Sequence, residues 1–309
     1  MKRLALLLIL ALCPVLASAQ PQPKEEYLRR YLNLTQRVGP DGVGVETLLD
    51  KWEADWPEDT QQLLARFSFC FTRCRKARVI QLDKDRYLGN EPLIPMTDST
   101  GRKCNYFEDY VYDDDLFAAA NLAIDKAIAL APRRLDYRQA KISALLAFEK
   151  EAPEMTASAL KALVDEHYTK HPVWEMDGIP EITDAHFTAF LQDYCVAFFR
   201  LGSPTALEQF KGVSEYILRY DKDDPLFVDN LGSYYLVNKD YKKAQKYFDG
   251  VLKKHPGDLT AIRNGILLAR AKKDVKLEKK YLALLAAHGE TESERLGAQA
   301  RLDAYNTKR

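Results

Sequence analysis

The chain has 309 residues, 47% of them hydrophobic and 29% charged, with 45 basic and 45 acidic side chains and a formal net charge of zero. That composition belongs to folded chains and argues against disorder. The charge balance argues against a general nucleic-acid binder, because phosphate attraction needs a surplus or stripe of cations.

Met1-Lys2-Arg3 is a short basic start, Leu4 to Leu16 is apolar apart from Cys13-Pro14, and Ala17-Ser18-Ala19 supplies small residues around a cleavage point. This predicts a secretory signal peptide cleaved after Ala19, so that a mature chain from Gln20 works outside the cytoplasm, periplasmic or secreted. The apolar run is too short to span a bilayer, and no later stretch reaches transmembrane length. Anchoring through Cys13 is the weaker reading, since Leu12 stands where a lipid-attachment signal wants a small residue.

After a polar lead, Glu25 to Val38 sets Tyr27, Leu28, Tyr31, Leu32 and Leu34 at helical spacing. Gly39 to Gly44 breaks that helix, and Val45 to Trp56 predicts a second one ended by Pro57, giving an N-terminal capping pair over 20–57. Glu58 to Arg78 predicts the next helix, apolar along Leu63, Leu64, Phe67 and Phe71. Its partner is delayed to Asp113–Leu130, where three aspartates suit the unsatisfied N–H groups of a helix start.

Between them lies an insertion, about 79–112. The runs 93–96 and 104–107 flank the turn signal Asp98-Ser99-Thr100-Gly101 and predict a small β-hairpin. Two readings of it stay open: a functional element on one face, or a solvated spacer. Arg133–Lys150 and Pro153–His171 predict a third pair (133–172), followed by a loop over 173–183 with an exposed-looking Trp174. Asp184–Gly202 and Pro204–Tyr220 predict a fourth (184–224), rich in phenylalanine.

The clearest stretch runs from Pro225 to Asp258. Numbered from its first residue, it carries Leu231-Gly232 at seven and eight, Tyr235 at eleven, Ala244 at twenty, Phe248 at twenty-four and Pro256 at thirty-two. In this it resembles a tetratricopeptide repeat, a unit of about 34 residues with those residue types at those places. Gly232 and Ala244 let two antiparallel helices approach, Tyr235, Phe248 and Val251 fill the seam, and His255-Pro256-Gly257 ends the second helix. Such a unit cannot bury its apolar face alone and requires neighbours. Ala120, Ile124, Ala127 and Pro132 fall at the second-helix offsets of an earlier unit, 58–132. A degenerate unit follows at 259–289, and 290–309 predicts a polar closing helix. The expected fold is an all-α, helix-turn-helix repeat solenoid with a right-handed superhelix and a small β-hairpin insertion near its N-terminal end.

The sequence offers no catalytic constellation. There is no glycine-rich phosphate loop, G-x-S-x-G or acidic calcium loop, so no enzyme, cofactor or metal is expected. His167-x-x-x-His171 has Tyr168 where a zinc protease needs glutamate, and helix-end histidines beside Pro172 explain the pair. Cys70 and Cys74, four apart on one helix face, read as small core residues, with a disulfide from one of them to Cys104 or a metal site as the alternatives, so the disulfide state of Cys70, Cys74, Cys104 and Cys195 stays open.

The resemblance implies a concave wall lined by positions two, five, six and nine of each first helix. These are Arg134, Tyr137, Arg138 and Lys141 in the third unit, Leu226, Asp229, Asn230 and Ser233 in the fifth, and Thr260, Arg263, Asn264 and Leu267 in the sixth. Arg134, Arg138 and Lys141 share one helix face, where they either grip a peptide carboxylate or form a solvated face paired with nearby acids. Asn230 and Asn264 suit hydrogen bonds to a peptide backbone. The function implied is a non-catalytic adaptor of the bacterial cell envelope that binds a protein or peptide, with self-association open. The alternative is a glycan- or small-ligand-binding accessory stacking on Trp52, Trp56 and Trp174.

Overall fold

The computed structural model describes residues 21–307, so the predicted signal peptide and its cleavage point lie outside the described residues. Helices follow one another in antiparallel pairs: α1 (Lys24–Val38) with α2 (Val45–Asp55), α3 (Thr60–Cys74) with α4 (Asp114–Leu130), and α5 (Leu135–Glu149) with α6 (Glu154–Lys170). Then come α7 (Asp184–Leu201) with α8 (Pro204–Ile217), α9 (Pro225–Val237) with α10 (Tyr241–Lys254), α11 (Leu259–Lys272) with α12 (Val275–His288), and α13 (Glu292–Thr307). This is an all-α helical-repeat fold with a small β insertion. None of the helices among the described residues is long and apolar enough to cross a membrane.

Aspartate does much to set the helix starts. The side chains of Asp59, Asp113, Asp224, Asp240, Asp258 and Asp274 each accept a main-chain N–H at the head of the following helix. A cap of this kind is worth about 1 kcal/mol and satisfies a donor that would otherwise be orphaned.

The pairs close through a glycine set under an aromatic ring. A Cβ at Gly232 would lie 2.3 Å from Cε1 of Phe248, and one at Gly265 would lie 2.5 Å from Cε1 of Tyr281. The same joint thus recurs in successive pairs, with Phe248 and Tyr281 fully buried. Ala120, Ile124 and Ala127 are likewise buried where α4 meets α3.

The insertion departs from expectation. The helix expected to reach Arg78 stops at Cys74, and Arg75–Leu82 forms β1, antiparallel to β2 (Asn105–Tyr112), with Arg75 opposite Tyr112 and Leu82 opposite Asn105. Aromatic and β-branched residues across β2 favour the pleated pairing over helix continuation. The expected turn is present at the tip: Asp98 Oδ1 accepts from the N–H groups of Thr100 and Arg102, and Gly101 has φ +85°. The runs expected as its strands contribute only the isolated bridges Ile94–Tyr106 and Thr97–Lys103. The ladder closes back onto the helix pair where Asp113 N–H donates to Cys74 O at 2.8 Å.

The insertion is also no detached spacer. Asp109, buried on β2, receives Lys150 Nζ at 2.6 Å from the end of α5, together with Arg78 at 2.6 Å and Tyr87 Oη at 3.1 Å. Lys84 pairs with Glu151 at 3.2 Å, and a Cβ at Gly89 would lie 3.0 Å from the carbonyl of Arg200 on α7. The hairpin therefore spans from the second helix pair to the third and fourth. At the other end, α13 is more than a polar cover: Ala298 is buried, and Arg301 and Tyr305 both bond the buried Glu278 of α12.

Candidate partner-binding surface

Every cation of the expected clamp on α5 is held by an acid from within the chain. Arg134 makes bonds of 2.8 and 2.5 Å to Asp136 and a further 2.9 Å contact to Asp177, and its guanidinium lies over the Tyr137 ring. Arg138 pairs with Glu166 of α6 at 2.9 Å, and Lys141 with Asp125 of α4 at 2.5 Å. Tyr137 is buried among Leu63, Ile124 and Ala127. Arg138 and Lys141 thus face α4 and α6, while Tyr194 of α7 meets the other side of α5 through Ser143 Oγ at 2.8 Å.

Across that face runs a groove. One cleft of about 470 Å³ is lined by Phe117, Asn121, Met155 and Ser158, and another of about 200 Å³ by Arg138, Leu163 and Glu166; both share Asp125, Lys141 and Ala159. Its floor is α5, and its walls are α4 and α6. Asn121 Oδ1 and Arg138 Nε are buried there with no hydrogen-bond partner. An unsatisfied buried polar atom costs about 1–3 kcal/mol, so each is a standing demand for a partner. Phe117, Asn121, Met155 and Ser158 carry no motif; only the helical register of α4 and α6 brings them to the groove.

The residues expected on the later repeats join helices to one another. Asn230 exchanges bonds of 2.8 and 3.0 Å with Gln192 of α7 and reaches Ser214 Oγ at 3.2 Å. Asn264 donates to Ser233 Oγ at 3.2 Å. Consecutive first helices α7, α9 and α11 are thereby linked by a ladder of polar side chains. Arg263 is held by Glu294 of α13 at 2.8 Å. Asp229 is buried, and neither of its carboxylate oxygens has a partner.

Trp174 corrects the expectation of an exposed ring. It is buried, its Nε1–H donates to His167 Nδ1 at 3.1 Å, and it stacks with Phe187 while Arg138 covers it. Burial holds the His167 imidazole below its ordinary pKa against the opposing pull of Asp184. His171, the other histidine of the pair, ends α6 in the left-handed conformation. Among the described residues Cys70, Cys74, Cys104 and Cys195 are free thiols, and burial pushes those of Cys74 and Cys195 up to about 11 and about 12. No group of three His, Cys, Asp or Glu among the described residues is placed to hold a metal ion.

These features define the class: an all-α helical-repeat protein with a β-hairpin inserted in its second helix pair. No protein-family model matches the chain, and no curated protein does. Among solved structures, that of Pseudomonas aeruginosa pilF aligns over 90% of this chain and 97% of its own at 14% identity, with a TM-score of 0.35. A superposition that loose carries no argument about what either chain does.

Proposed function

We propose that the chain is a non-catalytic scaffold of the cell envelope that holds a peptide segment of a partner protein in the groove across α5. The carrying observation is the pair of buried, unpartnered atoms, Arg138 Nε and Asn121 Oδ1. One is a donor and the other an acceptor, flanked by the apolar surface of Phe117, Met155 and Leu163. An extended peptide main chain presents the complementary carbonyl and N–H groups, while its side chains meet apolar walls. Of the residues first expected to touch a partner, Arg138 and Lys141 lie in this groove; Arg134 stands beside a separate cleft closed by the 173–183 loop. The glycan-stacking reading is weakened, because Trp52 and Trp174 are both buried.

Ser158 is exposed on the groove wall and makes only a local bond to Glu154 O. A photo-crosslinking residue at Met155 should yield a discrete adduct with a partner in native envelope fractions. Ser158→Arg should reduce that adduct at least tenfold with the circular dichroism spectrum unchanged, by filling the groove. An adduct undiminished in the variant would remove the groove from consideration. The envelope location rests on the composition of residues 1–19. It requires the native protein to carry Gln20 as its first residue, which the intact mass decides; a chain retaining Met1 would place the protein elsewhere.

A further inference from the structure

The N-terminal end of the array carries a second, electrostatically different surface. Between α1 and α2 lies a cleft of about 560 Å³ whose charged lining consists of Arg30, Arg37 and Lys51, with Asn33 and Thr47 between them. These residues recur at helical spacing along both helices, so one cationic strip follows the groove. Three of the four acids of α2 lie on its other flank, where Glu46 pairs with Arg73 at 2.7 Å and Asp50 and Glu53 pair with Arg66 at 2.6 and 3.1 Å. The fourth, Asp55, turns toward α1, where it accepts from the Tyr27 hydroxyl at 2.6 Å and the Gln22 N–H at 3.3 Å. The α2–α3 seam thus consumes three carboxylates and neutral donors hold the fourth, so the cleft lining carries cations and no acid. Arg30 donates to the neutral Gln22 Oε1 at 3.0 Å. None of the three has an ion pair among the described residues.

Beside this strip the loop joining α1 to α2 exposes apolar side chains. Val43, 93% exposed, directly precedes Gly44 of the cleft, and Val38, 45% exposed, directly follows Arg37. Gly42 makes this pairing possible: a Cβ there would lie 2.4 Å from Val38 Cγ2, so only glycine lets the loop fold back on that valine. Asp41 is the single acid of the loop, opposing three cations.

We propose that this end of the molecule docks on an anionic phospholipid surface, with Arg30, Arg37 and Lys51 taking headgroup phosphates and Val38 and Val43 entering the interface. Cations beside exposed apolar residues are what such a surface attracts and admits. A free phosphate would use the guanidinium groups but has no use for the valines, and this difference selects the lipid source. The inference stands apart from the peptide groove across α5, which lies on other helices.

The test is co-sedimentation of the full mature chain with vesicles of phosphatidylcholine alone or mixed equally with phosphatidylglycerol. Binding is expected only to the anionic vesicles and should fade as added salt screens the charges. The triple variant Arg30→Ala/Arg37→Ala/Lys51→Ala should bind about a hundredfold more weakly. Val43→Asp should weaken binding several-fold, with circular dichroism confirming that each variant is folded. Equal binding to both vesicle types, an undiminished triple variant, or no vesicle binding at all would overturn the proposal. So would calorimetric binding of glycerol phosphate that depends on Arg37 in a chain that ignores vesicles, because the cleft would then serve a free anion.

Discussion

Asp229→Asn is expected to stabilise the protein, and to stabilise it more as the pH rises. Asp229 sits on α9 with 2% of its surface exposed, and neither carboxylate oxygen meets a donor. Burial, reinforced by the Asp258 carboxylate at the head of α11, pushes its pKa from 3.8 up to about 8. The folded state therefore holds a proton that the unfolded chain releases near pH 4. Stability linked to this group is fully present below about pH 4, declines as the pH climbs, and levels off above about 8. Each pKa unit corresponds to about 1.4 kcal/mol, and relaxation around a buried charge reduces the total, so a gain of roughly 2–4 kcal/mol is expected above pH 8. Asparagine keeps the shape and never ionises. Urea unfolding at pH 5.5 and pH 8.5 should show the stability of wild type falling and that of the variant staying nearly flat. Parallel curves would mean that Asp229 does not carry the pH dependence.

Asp109→Ala is expected to release the hairpin, at a cost of about 2–4 kcal/mol. Burial by itself would raise the Asp109 pKa, but bonds from Lys150, Arg78, the Tyr110 N–H and Tyr87 outweigh it and hold the carboxyl at about 2. Its contribution is therefore present above about pH 4 and lost as the pH falls toward 2, the opposite sense to Asp229. Hydrogen exchange reads the effect directly. Amides of 75–82 and 105–112 should lose protection in the variant while those of α9 to α12 keep theirs. Unchanged protection in the strands would show that the hairpin is held by other contacts, such as Lys84 with Glu151.

The repeated joints were legible because they depend on residue size at fixed offsets. Gly232 under Phe248 is a local necessity that any neighbouring unit must also meet, and Ala120, Ile124 and Ala127 announced the buried side of α4 in the same way. The strand at 75–82 was not legible. Its arginine, lysine and alanine tolerate a helix, and only pairing with β2, distant in sequence, decides against one. Trp174 was misjudged because it stands in a loop with no helical periodicity to assign it a face, whereas its partners His167 and Phe187 come from two different helices. For the candidate surface, the common face of Arg138 and Lys141 followed from spacing along α5. Their neutralisation by Glu166 and Asp125 depends on the relative rotation of three helices, which no single periodicity encodes.

The hairpin changes the mechanics of the molecule. In a plain stack of helix pairs each unit touches only its neighbours, so a pull on the ends peels units away singly. Here a strut rooted in α3 and α4 reaches past the next turn, clasps Lys150 at the end of α5 and lies against the backbone of α7. Glu151, which receives Lys84, also takes the Ser203 hydroxyl on its main-chain oxygen, so the brace extends to the head of α8. The brace thus runs from the second helix pair to the head of the fourth pair's second helix, whereas the later pairs, among the described residues, are joined by side-chain contacts such as Asn264 with Ser233 and by no inserted strand.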